Sequence, residues 1–322
     1  MRAIVQNTYG SPDVLQLAEL APPAIGETDV LVRVRAAGVD AGVWHVMTGT
    51  PYLVRLGFGL RRPRVAVRGL DLAGVVEAVG AKVTRFKVGD EVFGGGTATF
   101  AELACAPEKT LALKPKSLSF EQAATVPVSA TTALEAMRAA KVKAGDRVLV
   151  VGASGGVGSF AVQLARALGA EVTGVCSAAK AELVRSLGAT RVIDYAREDF
   201  VQLGGTYDAI IDIGGSRPLS DLKRVLAPRG VAVLVGGEGG GNWFGVMTRL
   251  LWGMVLSLFS AQKFKSLLSL VNAAALAELS VLLESGQVTP HVGQVFSLQE
   301  TARAVQQLLD GQARGKIAIR VS

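Results

Sequence analysis

The sequence contains few of the residues that build metal centres and disulfide frameworks. Among its 322 residues are two cysteines, Cys105 and Cys176, and two histidines, His45 and His291. Two cysteines exclude a disulfide framework and a four-cysteine structural zinc site, and two histidines exclude a histidine-rich metal centre. Charged residues make up only 19% of the chain, against about 25% in typical globular proteins. The composition therefore excludes a disordered or nucleic-acid-coating chain.

A secretory signal is also lacking, because no apolar segment follows Met1–Gln6, and we expect a cytoplasmic enzyme. The formal net charge is +7, but the basic residues are scattered. Their densest group, Arg55–Arg68, does not have the organisation of a nucleic-acid site, with cations on a recognition helix or interleaved with aromatic residues. We interpret it as an anion-attracting rim, which would favour a phosphorylated cofactor or an acidic membrane surface.

The hydrophobic pattern changes near residue 120. Before it, short β-like runs are separated by glycine and proline, which predicts a compact barrel-like domain. These runs are Ala3–Val5, Val30–Val34, Leu72–Val79, Glu91–Phe93, Phe100–Ala104 and Leu111–Leu113.

After Glu121, continuous apolar strands alternate with amphipathic helices, which predicts a parallel sheet covered on both faces. The predicted strands are Arg147–Val151, Glu171–Val175, Arg191–Ile193, Ala209–Ile213 and Val231–Val235, the last of which we take to end the sheet. The predicted helices are Gly156–Leu168, Ala178–Leu187 and Leu219–Leu226.

A glycine-rich turn joins the first of these strands to the first helix. It consists of Gly152, Ala153, Ser154, Gly155, Gly156, Val157 and Gly158. A strand, a glycine turn and a helix form the context of a dinucleotide fingerprint. Gly155 would let the backbone approach a pyrophosphate, and Gly158 would let the helix pack against the strand. Ala153 departs mildly from the usual glycine, and a glycine-rich turn without a ligand is the alternative.

The second strand of the predicted sheet ends without a carboxylate. An NAD enzyme usually has one there to accept hydrogen bonds from the ribose hydroxyls. This chain supplies Ser177, Lys180 and, further on, Tyr195. A carboxylate facing a 2′-phosphate would cost about 4 kcal/mol per charge pair, so its absence favours NADPH over NADH. The alternative is that Lys180 is an ordinary solvated helix residue.

Together with Val88–Phe93 and Ala101–Leu103, these residues resemble the medium-chain dehydrogenase/reductase superfamily, and more narrowly its zinc-free quinone oxidoreductase branch. The resemblance runs from Met1 to Gly315–Ile319. It implies an α/β chain with a GroES-like β-barrel-type catalytic domain, residues 1–122 plus 266–322, and a Rossmann doubly wound parallel sheet, residues 123–265. A homodimer is the usual unit of this family.

The zinc-dependent relatives place a cysteine in the stretch Ala37–Asp40 and a His-Glu pair in Gly69–Asp71. Here Asp40, Leu70 and Asp71 stand at those positions. Since Leu70 cannot ligate a metal, the resemblance implies a metal-free enzyme. The quinone reductases commonly have asparagine at the Asp40 position, which leaves the role of Asp40 open.

The resemblance also assigns further residues to the cofactor. They are Thr132 near the nicotinamide, Lys180 and Tyr195 at the adenosine phosphate, Val235 and Gly236 near the carboxamide, and Lys316 in the tail that returns to the cleft.

A zinc-free site favours a conjugated acceptor over a simple alcohol. Zinc stabilises the alkoxide that alcohol oxidation develops, whereas hydride added to a quinone or enone leaves a delocalised charge. We therefore predict hydride transfer from NADPH to a quinone, enone or other conjugated carbonyl. Candidates for proton donation or orientation are Asp40, His45 and Tyr52, placed in a loop facing the cleft. His45 as a structural residue bonded to the backbone, and Tyr52 as a packing aromatic, are the alternatives.

Three other functions stay open: an NAD(P)-dependent alcohol dehydrogenase, an enoyl-thioester reductase, and a non-enzymatic NADPH-binding protein.

The stretch Trp243–Ser260 holds 18 residues with one charge, Arg249. That charge would cost about 2.5–3.5 kcal/mol at a bilayer centre, which argues against a membrane span. One interpretation is a helix buried at the dimer interface or packed over the cleft. The other is a helix whose exposed face lies on a membrane surface, with Lys263 and Lys265 meeting anionic lipid.

Overall fold

The structure is a computed structural model that describes residues 1–236, 247–258 and 260–321. The chain divides into two compact units. Unit 1 comprises Met1–Thr131, Leu270–Gly286 and Pro290–Ser322, and unit 2 comprises Thr132–Ser269 and Gln287–Thr289. The boundaries that the sequence suggested, after residues 122 and 265, stay a prediction.

Unit 1 is built mainly from antiparallel strands. They are β1 (Arg2–Val5), β2 (Gln16–Glu19), β3 (Asp29–Val39), β4 (Asp71–Val79), β5 (Glu91–Gly95), β6 (Leu103–Pro107), β7 (Leu111–Leu113), β14 (Val292–Ser297) and β15 (Lys316–Arg320). β1 and β2 form their own sheet, and the other seven strands form a sheet of order β14-β15-β3-β4-β5-β7 with β6 paired to β3. Along β3, all residues except Asp29, Arg33 and Arg35 are buried, so most of both faces of this strand are covered.

The helices of unit 1 are α1 (Ala41–Thr48), α2 (Val54–Phe58), α3 (Phe120–Ala124), α9 (Ala273–Glu284) and α10 (Thr301–Leu309). Helix α4 (Pro127–Ala140) begins in unit 1 and ends in unit 2. The predicted strand Phe100–Ala104 was wrong in its bounds, because the strand begins at Leu103. Phe100 instead exchanges backbone hydrogen bonds with Ile4 and Arg68.

Unit 2 contains a six-stranded, all-parallel sheet of order β10-β9-β8-β11-β12-β13. Its strands are β8 (Arg147–Val151), β9 (Glu171–Cys176), β10 (Arg191–Asp194), β11 (Tyr207–Asp212), β12 (Leu226–Leu234) and β13 (Lys263–Ser266). Its helices are α5 (Gly156–Ala167), α6 (Ala181–Ser186), α7 (Leu219–Val225) and α8 (Met247–Leu258). The strand order reverses between β8 and β11, the point at which doubly wound sheets bind their ligands.

The sequence suggested that the sheet ends with β12, and this prediction was wrong. β13 pairs in parallel with β12, from Val231 beside Lys263 to Leu234 beside Ser266. Helix α8 therefore lies in the crossover connection between the parallel strands β12 and β13. Its Gly253 is buried against Leu234.

Helix α8 covers part of the stretch Trp243–Ser260, whose residues 243–246 and 259 lie outside the described residues. Its large apolar side chains Leu251, Trp252, Met254, Val255 and Leu258 are exposed. Lys263 donates to the Ser257 carbonyl and Lys265 to the Ala139 carbonyl, so both lysines have partners within unit 2. Within the described part of the chain, we find no helix with the length and hydrophobicity to span a bilayer.

Candidate functional site

The turn between β8 and α5 forms the floor of the candidate cofactor site. Gly152 has a φ of +86°, a left-handed conformation that favours glycine. The N–H groups of Gly152 and Ala153 donate to the Val175 carbonyl at 3.1 and 3.0 Å, which ties the turn to β9. A Cβ added to Gly155 would meet only the Gly152 carbonyl oxygen, at 3.4 Å. The N-terminus of α5 therefore begins beside open space, where its N–H groups can receive a phosphate.

A cavity of about 170 Å³ lies beside this turn in unit 2. It is lined by Val151, Gly152, Ser154, Val175, Cys176, Ser177, Lys180, Tyr195, Phe200, Gly214, Ser216 and Arg217. Five residues predicted from the sequence thus meet in one place: Gly152, Ser154, Ser177, Lys180 and Tyr195. After β9, Ser177 is the N-cap and Lys180 the last residue of the one-turn 3₁₀ helix Ala178–Lys180, and Tyr195 follows β10.

The segment after β11 also contributes to the cavity, which no motif in the sequence indicated. Gly214, Ser216 and Arg217 line the cavity because β11 is the neighbour of β8 in the sheet. The Arg217 guanidinium lies 3.1 Å from the Asp199 carboxylate and 3.7 Å from that of Asp221. The cavity therefore presents two cations, Lys180 and Arg217, and none of the described residues that line it is acidic.

The other residues assigned to the cofactor are not part of this cavity lining. Thr132 lies in α4. Val235 and Gly236 follow β12, and the Val235 N–H donates to the Asp212 carbonyl at 2.9 Å. Lys316 is buried in unit 1, where its Nζ donates to Ser129 Oγ at 2.9 Å and to the Val39 carbonyl at 3.2 Å.

The three candidate catalytic residues lie in unit 1, but the loop predicted around them is largely helical. Asp40 is the N-cap of α1, and its Oδ1 accepts from the N–H groups of Gly42 and Val43 at 2.7 and 3.3 Å. This capping satisfies two of the free N–H groups of the helix and gives Asp40 a structural task. Its Oδ2 is buried and has no hydrogen-bond partner among the described residues.

His45 lies on α1 with its Nδ1 2.9 Å from the Thr50 carbonyl oxygen. A carbonyl oxygen can only accept, so Nδ1 carries the proton, and Nε2 of a neutral ring stays an acceptor. Tyr52 lies just before α2, and the Arg55 guanidinium stacks 4.6 Å from its ring centroid and 4.6 Å from that of Tyr9. This double cation–π contact fixes the direction of the Tyr52 ring.

A buried cluster of charged residues lies behind Asp40 in unit 1. Asp71 is fully buried and accepts from the Val128 N–H through both carboxylate oxygens, at 3.1 and 3.3 Å. Burial raises the pKa of Asp71 well above its usual range, and the negative charge of Asp40 raises it further, against the opposing effect of Lys316.

This raised pKa predicts a pH dependence of stability. The folded state holds the Asp71 proton more tightly than the unfolded state. The resulting stability is complete below the unfolded pKa and is lost as pH rises through the folded pKa. Asp71→Asn cannot ionise and keeps an oxygen to accept from Val128. From about pH 4 upward, wild type should lose about 1.4 kcal/mol per pH unit relative to this variant, measured by urea unfolding.

The exposed Asp13 provides a control for this measurement. Asp13→Asn replaces an exposed carboxylate with an amide in the same way, and its difference from wild type gives the baseline for the measurement. A difference for Asp71→Asn that does not change with pH beyond this baseline would show that burial does not raise the pKa of Asp71.

Comparison with known proteins finds family models that match residues in both units. Residues 26–116 match the alcohol dehydrogenase GroES-like domain model, and residues 187–319 match a model described as zinc-binding dehydrogenase. The chain is 34% identical to a 2-methylene-furan-3-one reductase of Solanum lycopersicum, covering 99% of this chain and 79% of that protein. It is 32% identical to the chloroplastic NADPH-dependent alkenal/one oxidoreductase of Arabidopsis thaliana, with the same coverage. The structure of Escherichia coli quinone oxidoreductase complexed with NADPH superimposes with a TM-score of 0.85, at 25% identity and complete coverage of both chains.

The fold and the cavity thus define an NAD(P)-binding oxidoreductase with a GroES-like domain and a Rossmann sheet. The chain belongs to the medium-chain dehydrogenase/reductase superfamily, and it is similar to the quinone and alkenal/one oxidoreductases of that superfamily.

The residues of this chain do not fit the zinc ion that the name of one matched model implies. At the positions of the zinc ligands, Leu70 offers no donor atom, and the ammonium of Lys316 acts on Asp71 as a nearby positive charge. Within residues 1–236, 247–258 and 260–321, no group of three or more His, Cys, Asp or Glu side chains could hold a metal ion. Burial also raises the pKa of Asp71, which disfavours the ionised carboxylate that a metal ion requires.

Proposed function

We propose that the chain transfers hydride from NADPH to a conjugated carbonyl, a quinone or an enone, without a metal ion. The observation that carries the proposal is the cavity in unit 2, where Lys180 and Arg217 lie beside the glycine turn and none of the described lining residues is acidic. The names of the relatives support it: one is an NADPH-dependent alkenal/one oxidoreductase, and another is a quinone oxidoreductase complexed with NADPH.

The 2′-phosphate of NADPH suits this cavity by charge. Lys180 supplies a cation, and Ser177 and Tyr195 supply hydroxyl donors. Arg217 supplies a second cation, a guanidinium that Asp199 and Asp221 hold in place. Hydrogen bonds between charged groups are shorter and stronger than those between neutral groups. A carboxylate would repel the phosphate, and none lines the cavity within the described part of the chain. The cofactor's contribution is a hydride, and these residues bind and orient its adenosine end.

Without a metal ion, the residues of unit 1 orient the acceptor and supply its proton. Asp40 caps α1 and so fixes the helix that carries His45. We assign the proton-donating or orienting role to Tyr52, whose ring Arg55 holds from one face. His45 can contribute only to orientation, because Nε2 of its neutral ring accepts a hydrogen bond and does not donate one. A conjugated acceptor spreads the added charge over an enolate or quinol anion, so orientation and one proton donor suffice.

The proposal is tested by the consumption of NADPH with a panel of quinones, alkenals and enones, before and after treatment with a chelator. We expect turnover of at least one conjugated acceptor and no change on chelation. Loss of activity that added zinc restores would favour an alcohol dehydrogenase. Turnover of enoyl thioesters alone would favour an enoyl-thioester reductase. Binding of NADPH with no turnover of any acceptor would favour a non-enzymatic binding protein.

Replacing Lys180 with alanine should weaken NADPH binding selectively. The lost charge-assisted contact is worth about 1.5–3 kcal/mol, or roughly 10-fold to 150-fold in the dissociation constant. NADH, which has no 2′-phosphate, should bind the variant and wild type almost equally. Titration of cofactor fluorescence measures both constants.

The matched control is Lys223→Ala, an exposed lysine of α7 outside the cavity lining. It should leave both constants unchanged. Equal weakening of NADPH and NADH by Lys180→Ala would contradict the phosphate assignment.

We further propose that the functional unit is a homodimer, as is usual in the family that the sequence resembles. Sedimentation or light scattering at micromolar concentration tests it, and a monomer across the whole concentration range would overturn it.

A further inference from the structure

Unit 1 contains a cavity of its own, of about 240 Å³, that the proposed cofactor site does not use. It lies between α1, the end of α2 and two loop segments. Its lining consists of Val43, Val46, Gly57, Phe58, Arg64, Val65, Val67, Arg68, Gly69, Leu70, Thr97 and Ala98. Most of this wall is apolar, and the charged members are the two arginines. Helix α1, which Asp40 caps, provides Val43 and Val46.

Arg68 is an exceptional residue for the wall of a cavity, because only 4% of its surface is exposed. Its Nε has no hydrogen-bond partner, and no side-chain hydrogen bond or ion pair joins its guanidinium to another described residue. Burial lowers the pKa of Arg68, an effect that the nearby Tyr9 phenol partly offsets. Charged side chains are almost never fully buried without a partner, since removing an ion from water costs several kcal/mol.

The backbone around Arg68 is held on both sides. Its N–H donates to the Ile4 carbonyl at 3.1 Å, and its carbonyl accepts from the Phe100 N–H at 2.9 Å. One residue earlier, Val67 bridges to Val5 of β1. The backbone of Arg68 is therefore anchored by two hydrogen bonds next to an isolated β-bridge. A lining residue with an anchored backbone loses less entropy when a ligand binds.

A second polar group at the same place also has no partner. Thr99 is fully buried, and its Oγ1 forms no hydrogen bond with any described residue. A side chain on Gly69, which lines the cavity, would collide with this hydroxyl. At the mouth, Arg64, Val65 and Phe58 are exposed. The cavity thus combines an apolar wall, a buried cation and a second cation at its entrance. The Thr99 hydroxyl lies next to Gly69 but is not part of the lining.

We propose that this cavity binds the carboxylate of the hydride acceptor, so that the preferred substrates are apolar conjugated carbonyl compounds that carry a carboxylic acid. The inference rests on the proposed function for the reaction itself, but the binding site stands on the cavity and Arg68. A carboxylate accepts two parallel N–H bonds from one guanidinium, which is the geometry that arginine favours.

The charge balance selects a carboxylate over a phosphate monoester. Arg68, the buried guanidinium of the described lining, neutralises the single charge of a carboxylate. The second charge of a phosphate monoester would have only the solvent-exposed Arg64 as its partner, where ion pairs contribute little. The volume also limits the ligand. At about 30 Å³ for each water-sized group, the cavity has room for roughly eight such groups, which suits a short acyl chain.

The test compares 7-oxo-5-octenoate with its methyl ester. The carboxylate is separated from the enone by methylene groups, so both compounds have the same reacting group. Reduction of either places a hydride on C5 and a proton on C6, removes the C5–C6 double bond and oxidises one NADPH. We expect kcat/KM to be at least about tenfold higher for the acid than for the ester. In Arg68→Met this acid-to-ester ratio should fall to near one, and Arg314→Met, an exposed arginine outside the cavity lining, should keep the wild-type ratio.

Two measurements on wild type keep the proposal falsifiable if Arg68→Met does not fold. Octanoate should inhibit reduction of the acid competitively, and methyl octanoate should not. The saturated product, 7-oxooctanoate, should bind the cofactor-free protein in calorimetry, and its methyl ester should not. Equal use of acid and ester, or no inhibition by octanoate, would overturn the inference and leave the proposed function standing. Binding of 7-oxooctanoate without reduction of any conjugated carbonyl would instead overturn the proposed function.

Discussion

Replacing Arg249 with methionine should lower the free energy of unfolding by about 3–5 kcal/mol, because it leaves a buried carboxylate without its partner. Arg249 Nη2 lies 2.5 Å from Asp212 Oδ2, and Asp212 is fully buried at the carboxyl end of β11. The same Nη2 donates to the Arg217 carbonyl at 3.0 Å. Burial raises the pKa of Asp212, and Arg249 opposes this rise, so removing the arginine raises that pKa further.

The size and the pH dependence of the lost unfolding free energy distinguish an unpaired buried carboxylate from a simple loss of packing. As pH falls, the variant should recover part of its stability, since its isolated Asp212 accepts a proton. Asp212→Asn combined with Arg249→Met should be more stable than Arg249→Met alone at neutral pH. Arg224→Met, an exposed arginine of α7, should change stability by less than about 0.5 kcal/mol. Chemical unfolding over a range of pH measures all four proteins. A loss below about 1 kcal/mol, constant with pH, would contradict the buried-pair argument.

The ion pair also explains why the cofactor cavity includes residues that the sequence did not reveal. Arg249 joins α8 to β11 and holds the carbonyl of Arg217, whose side chain lines the cavity. Gly214 and Ser216 come from the same segment. Their place in the site depends on the pairing of β11 with β8, which are separated by about 60 residues in the chain. The sequence around residue 217 contains no local pattern that indicates the pairing of β11 with β8. A topology argument from the strand order could have found it.

The sequence predicted best where one signal was strong and local. β8 reads Arg-Val-Leu-Val-Val, and the last four of these residues are buried, so an apolar run followed by glycines identified both the strand and the turn. β13 reads Lys-Phe-Lys-Ser, with only Phe264 buried. This short edge strand carries no apolar run, and its place is decided by pairing with β12, which tertiary structure supplies.

Asp40 shows how a local signal can be overlooked in favour of a functional one. An aspartate followed by a short apolar segment is a helix N-cap signature, and α1 begins at Ala41 with the Asp40 side chain capping it. The sequence analysis considered Asp40 as a substitute for a zinc ligand and as a catalytic candidate, and so placed this segment in a loop. Arg68 was noticed only as part of a basic group, because burial cannot be read from its neighbours in the sequence.

The glycine turn provides a pair of matched substitutions that separate folding from cofactor binding. A Cβ on Gly158 would meet Ala153 Cα at 2.8 Å and the Gly152 carbonyl oxygen, both of them backbone atoms that cannot rotate away. Gly158→Ala should therefore destabilise unit 2 by about 1–3 kcal/mol, as overpacking does. A Cβ on Gly155 would meet only the Gly152 carbonyl oxygen, at an ordinary 3.4 Å, and the φ of Gly155 is −81°. Gly155→Ala should therefore change stability by less than about 1 kcal/mol.

The two substitutions should have the opposite order of effect on cofactor binding: among folded molecules, Gly155→Ala should weaken NADPH binding more than Gly158→Ala does. If the pyrophosphate lies against Gly155, a methyl group there occupies the space of a phosphate oxygen, and the dissociation constant of NADPH should rise about tenfold or more, equivalent to at least about 1.4 kcal/mol. Calorimetric titration gives this constant, and thermal unfolding of the same samples gives the stability. Unchanged NADPH affinity in Gly155→Ala would show that the phosphates lie elsewhere. Full stability of Gly158→Ala would contradict the overpacking that the close approach of Gly158 to Ala153 predicts.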